Sequence, residues 1–165
     1  MNIGTYIMFK NRRRRSDLEF AVNMLSLALF VVRACIEDGL IEESERLLKL
    51  AFCSIRTRMN DETVYDFDAT PSEKLHLKFK SCCSSLFVYR VLSHYRQEQY
   101  NEILAMLGST KQEPIEFDID QSDSLSRVCF NIALGMFNRR EFESAIIWLK
   151  FSHSFGKKSI NCLNH

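Results

Sequence analysis

The sequence predicts an all-α fold: about six helices in antiparallel pairs, stacked as an irregular array. Three observations predict it. Helix breakers are scarce, with five glycines and two prolines in 165 residues, well under the roughly 12% of an average protein. Apolar residues recur at spacings of three and four over long stretches. The links within each pair of stretches are short enough to make the two helices antiparallel. The 46% hydrophobic and 26% charged composition is that of a globular chain with a core, not of a disordered one.

Residues 1–15, with Lys10 and Arg12 to Arg15 at their end, read as a basic flexible arm and a possible nuclear import patch. The arrangement resembles a signal peptide, but Asp17 and Glu19 interrupt it and no small-residue cleavage site follows. The apolar run Phe20 to Val32 falls short of the roughly 20 residues that span a bilayer. Ser16 and Glu19 instead form a capping-box pattern, so the first helix is expected from Ser16 to about Asp38, stopped by Gly39. Its stripe Leu18, Val22, Leu25, Leu29, Val32 and Ile36 is joined by Phe20, Met24, Leu27, Phe30 and Val31 on other faces. A helix apolar all round is expected to be covered on more than one side.

The second helix, Ile41 to about Arg58, turns Ser44, Leu47, Leu48, Ala51, Phe52 and Ile55 inward. Residues 59–69 read as a polar loop. Thr70-Pro71-Ser72-Glu73 is a second capping box, with proline at the first helical position. The third helix follows to about Arg96, striped by Leu75, Phe79, Cys82, Leu86, Tyr89 and Leu92. A fourth runs from Tyr100 to Leu107, ended by Gly108. Residues 109–122 form a surface loop, in which Ile115 to Asp120 alternates like a short strand or lies extended on the helices. The fifth helix is expected from Asp123 to Asn138 and the sixth from Glu141 to Phe155, stopped by Gly156, with residues 158–165 as a tail.

The helical repeat domain is therefore residues 16–157, with pairs 16–58, 70–108 and 123–156. In the last pair the small and large residues fall where a tetratricopeptide repeat needs them for its two helices to cross closely. Ile132 and Ala133 take the large and small positions of the first helix, and Met136 the next large one. Phe142, Ala145, Leu149 and Ser152 take the large, small, large and small positions of the second. Cys129 stands where the repeat usually has tryptophan, and Arg140 where its turn has glycine. The first pair fits more loosely through Ile41, Ser44, Leu48 and Ala51, and the middle pair through Tyr100, Ile103 and Leu107. The starts Ile41, Tyr100 and Phe142 are unevenly separated, not by the repeat's 34 or so residues. A plain six-helix bundle uses the same stripes.

The run from Cys129 to Lys157, through Asn131, Gly135, Phe142, Ala145, Trp148-Leu149, Ser152 and Gly156-Lys157, resembles the meiosis-specific tetratricopeptide scaffolds of crossover formation, the sporulation-specific and testis-expressed type. The resemblance covers about 30 residues well. It implies a non-catalytic protein-interaction scaffold of meiotic crossover and chromosome synapsis (the synaptonemal complex). It also implies a nuclear, chromosome-associated location and recombination or synapsis proteins as partners. Members of that family are much longer, which implies a fragment or short product. The alternative is a generic cytosolic adaptor for peptide segments. In either case Arg127, Asn131 and Leu134 are expected on the concave face that binds protein. A complete clamp for a C-terminal carboxylate is not expected, because Phe130 and Leu134 occupy two of its positions. Trp148 is read as core or as an interface anchor.

Other chemistries find little in the sequence. The six cysteines form no C-x-x-C pair, and His76, His94, His153 and His165 fall at no metal-ligand spacing, so neither a disulfide framework nor a metal site is expected. Neither a phosphate loop nor a nucleophile elbow occurs, and no cofactor is expected. A helical enzyme with a Cys82/Cys83 site is the rival from another class. A net charge of +1 supplies no general attraction to nucleic acid or acidic lipid, and neither is expected as a direct partner.

Overall fold

The computed structural model describes residues 3–59, 73–110 and 115–162, and among them there are six helices and no strand. They are α1 (Ile3–Glu37), α2 (Ile41–Met59), α3 (Glu73–Arg96), α4 (Tyr100–Ser109), α5 (Ile119–Asn138) and α6 (Phe142–Cys162). The all-α expectation therefore holds. The chain divides into two compact bodies, residues 1–86 and 87–165, with the division falling inside α3.

Four boundaries differ from those expected. The helix begins near Ile3, so residues 3–15 are helical, not a flexible arm, and Ser16 lies mid-helix instead of capping it. Arginine is a good helix former and no proline interrupts the stretch, so helix propagates through the basic run. Next, α5 begins at Ile119 because Asp118, in extended conformation, accepts from the Gln121 amide at 2.8 Å. Gln121 Oε1 accepts from the Asp118 amide at 3.1 Å in return. Ile115 to Asp118 forms neither helix nor strand, and Asp118 itself is extended. Phe117 anchors it, with ring centroids 5.5 Å from Phe87 and 5.8 Å from Phe155. Finally, neither Gly108 nor Gly156 stops its helix. The loop at 60–69 and the capping box at Thr70 to Ser72 lie outside the described residues.

One turn recurs in all three helix pairs. Two residues before each second helix the backbone is left-handed: φ is 76° at Gly39, 58° at Glu98 and 64° at Arg140. The same two hydrogen bonds close each turn. The amide after the left-handed residue donates five positions back, Leu40 to Cys35 at 2.8 Å, Gln99 to His94 at 2.9 Å and Glu141 to Met136 at 2.9 Å. The left-handed residue itself donates to Ile36 (3.3 Å), Tyr95 (3.1 Å) and Phe137 (2.9 Å) in the three pairs. This is the Schellman ending, which satisfies carbonyls that a helix C-terminus leaves open. Only the first turn uses glycine, the residue for which the conformation is free of Cβ strain.

The same register repeats in burial. Val32, Val91 and Ala133 stand seven residues before the left-handed position, and all three are essentially fully buried. Ser44, Ile103 and Ala145 stand at the fourth residue of the second helix and are buried too.

In the first body α1 packs closely on α2. Val22, Leu25, Leu29 and Val32 are buried on α1, and Ser44, Leu48 and Ala51 on α2. The start of α3 meets α1 through Ser26 Oγ and Cys82 Sγ (3.3 Å) and through Lys78 Nζ, which donates to Asn23 Oδ1 at 2.7 Å. The expected cover over all of α1 is not found among the described residues: Phe20, Met24, Leu27, Phe30 and Val31 are exposed. The apolar part of α1 is also longer than Phe20 to Val32. Glu19–Glu37 is apolar and long enough to cross a membrane by length and composition, and a third of it is buried.

In the second body one core joins Val88 and Val91 of α3, Ile103 and Leu107 of α4, Leu125 and Val128 of α5, and Trp148 and Phe155 of α6. The closest pair is α5 with α6. Its antiparallel register is fixed at both ends. Ser126 Oγ donates to the Ser152 carbonyl at 2.9 Å, and near the turn the Phe137 and Phe142 rings meet edge-on at 5.5 Å. That register sets Ala133 level with Ala145, both buried, so the crossing is lined by small side chains. A Cβ on Gly156 would lie 3.4 Å from Ser126 Oγ, so this glycine serves close approach, not helix ending.

Candidate functional site

The first full turn of α5 exists because of the Asp118–Gln121 cap. It carries Asp120 and Asp123 to the mouth of a shallow groove of about 300 Å³. Leu92 of α3 forms one wall, and Val128, buried at the base of α5, contributes an apolar floor. Ser124, Arg127 and Asn131 complete the lining. Ser124 Oγ donates to the Asp120 carbonyl at 2.8 Å.

Arg127 donates to Asp123 one turn earlier, an ion pair with both side chains substantially exposed. That hydrogen bond, and then the carboxylate's charge, raises the guanidinium above its ordinary value, so Arg127 stays charged. In water such a pair contributes little to stability. Its consequence is positional: it holds a cation and an anion at fixed places on the rim. Asn131, one turn further, is exposed and offers both an amide donor and a carbonyl acceptor. The set suits an extended polypeptide, whose backbone pairs with Asn131 and whose charged side chains meet Arg127 or Asp120.

The structure brings together two of the three residues expected on the binding face. Arg127 and Asn131 line the groove; Leu134 does not, because at the next turn it points toward the exposed side of the α5/α6 hairpin. Asp120 was missed with the first turn of α5, for which the Asp118-x-x-Gln121 spacing was the signal; Asp123, Ser124 and Val128 lay in the expected helix but were not assigned to the binding face. Leu92 was expected only as core.

The packing residues divide similarly. Ile132, Ala133, Ala145 and Ser152 are buried as expected, and Met136 packs half-buried against the core. Trp148 is 3% exposed and belongs to that core, which removes it as an interface anchor. Phe142 and Leu149 are not packed between the helices: they are 52% and 44% exposed. The inward stripe of α6 is Ala145, Trp148, Ser152 and Phe155; it keeps the template's two small positions but puts Trp148 in place of Leu149, because the indole has more apolar surface to bury than the leucine.

The cysteines and the acids do not assemble a reactive centre among the described residues. Cys82 is buried, and burial, followed by the charge of Cys82, pushes the Cys83 thiol up, opposite to what a thiolate nucleophile needs. No group of three metal-ligating side chains occurs among the described residues. No protein-family model, curated protein or solved structure matches the chain.

Proposed function

We propose that this chain is a non-catalytic helical-repeat scaffold that binds extended segments of other proteins in the groove beside α5. The observation that carries the reading is the turn repeated at Gly39, Glu98 and Arg140, since a repeated helix pair is the unit from which such scaffolds present grooves. The resemblance of residues 129–157 to the meiotic crossover scaffolds supports recombination or synapsis proteins as partners and a nuclear, chromosome-associated role. The mixed polar rim over an apolar floor supports peptide-backbone recognition over capture of a purely apolar helix.

The test is affinity capture from a meiotic-cell extract with the wild-type chain and with Asn131→Ala and Arg127→Ala. Recovery of recombination factors that falls with either substitution supports the proposal. Equal recovery with all three baits refutes the groove, and recovery dominated by chaperone C-termini refutes the meiotic role.

A further inference from the structure

We propose that the outward side of the α5/α6 hairpin is a two-fold interface with a second copy of this chain. Phe130, Leu134 and Phe137 of α5 and Phe142, Ile146 and Leu149 of α6 recur at spacings of four and three and are each 44–58% exposed. The antiparallel register sets them as three rungs: Phe137 with Phe142, whose rings touch, then Leu134 with Ile146, then Phe130 with Leu149. The core residues of both helices lie on the opposite side. Half-exposed side chains of this size present roughly 500 Å² of contiguous apolar surface, near the upper end of what a monomer leaves open. Two such faces bury roughly 1,000 Å², about the threshold of a specific interface.

Charge selects the occupant. Beside the ladder runs a second exposed stripe of α6, Glu143, Ile147 and Lys150, with acid at one end and base at the other. A two-fold interface maps each residue onto the position that receives it, so a self-complementary stripe fits its own copy. An antiparallel copy with the axis beside Ile147 sets Glu143 against the partner's Lys150 and Lys150 against the partner's Glu143. The same rotation lays the Phe137/Phe142 rung over the Phe130/Leu149 rung. A parallel copy would oppose like charges, which the stripe disfavours.

Sedimentation velocity of the full chain over a concentration series tests this. The wild type is expected to dimerise, and Ile146→Glu to be monomeric while its circular dichroism stays helical. Glu143→Lys and Lys150→Glu alone are each expected to raise the dimer dissociation constant about tenfold, and the double variant to restore it. A monomeric wild type, single reversals without effect, or a double variant that stays weak would overturn the proposal. So would loss of the dimer in Leu27→Glu on the exposed side of α1 instead of in Ile146→Glu.

Discussion

Replacing Ala145 with leucine probes the closest crossing in the second body. Ala145 is 3% exposed, and the Ser126–Ser152 register sets it level with Ala133, which is 1% exposed. In a roomy site the added carbons would contribute about 2 kcal/mol through burial, at ~0.8 kcal/mol each. Here the space is already taken by the facing helix, so the added volume must push α5 and α6 apart. Overpacking of this kind costs about 1–3 kcal/mol. A net loss near 2 kcal/mol lowers the melting temperature by about 4–8 °C in a chain of this size. Thermal melts followed by circular dichroism would measure it, with Ile146→Leu on the exposed side as the neutral control. An Ala145→Leu protein that melts at or above the wild type would refute the crossing and the register built on it.

Three further outcomes are expected. Arg140→Gly should stabilise the chain by about 0.5–1 kcal/mol, the relief of a left-handed non-glycine residue less the entropy of glycine; urea titration would show the midpoint rise. Gly135→Ala should stabilise by a similar amount, because a Cβ there meets nothing within 4 Å, and an unchanged or lower urea midpoint would contradict the open surroundings. Cys129 gives a pH dependence: burial pushes its thiol from 9.0 to about 12 in the folded chain. Its contribution is complete below pH 9, where both states are protonated, and is lost as pH rises between 9 and 12, where only the unfolded chain ionises. Unfolding free energy should therefore fall by up to about 1.4 kcal/mol per pH unit in that window, with a shallower slope in Cys129→Ala.

The fold was largely legible in the sequence and the site only in part, for identifiable reasons. Gly39 announced its turn because glycine is the usual occupant of a left-handed helix ending. Glu98 and Arg140 adopt the same conformation without announcing it, so the shared turn was visible only as short loops. Gly156 misled because a glycine at a close helix contact looks the same in sequence as one at a helix end. The basic run misled because charge density suggested an exposed arm while arginine's helix propensity favoured continuation. Asn131 and Arg127 were found by repeat position. Asp120 was lost with one misjudged turn of α5, and Leu149 was placed inward by a template whose large position Trp148 takes instead.

The recurring left-handed ending has a consequence for how the molecule is made. Each hairpin is closed by hydrogen bonds spanning at most six residues, and the tight α5/α6 seam joins segments adjacent in sequence. Chains dominated by such nearby pairings lose little entropy before their contacts form and fold fast. A hairpin can thus be completed as it leaves the ribosome, before the next has been translated.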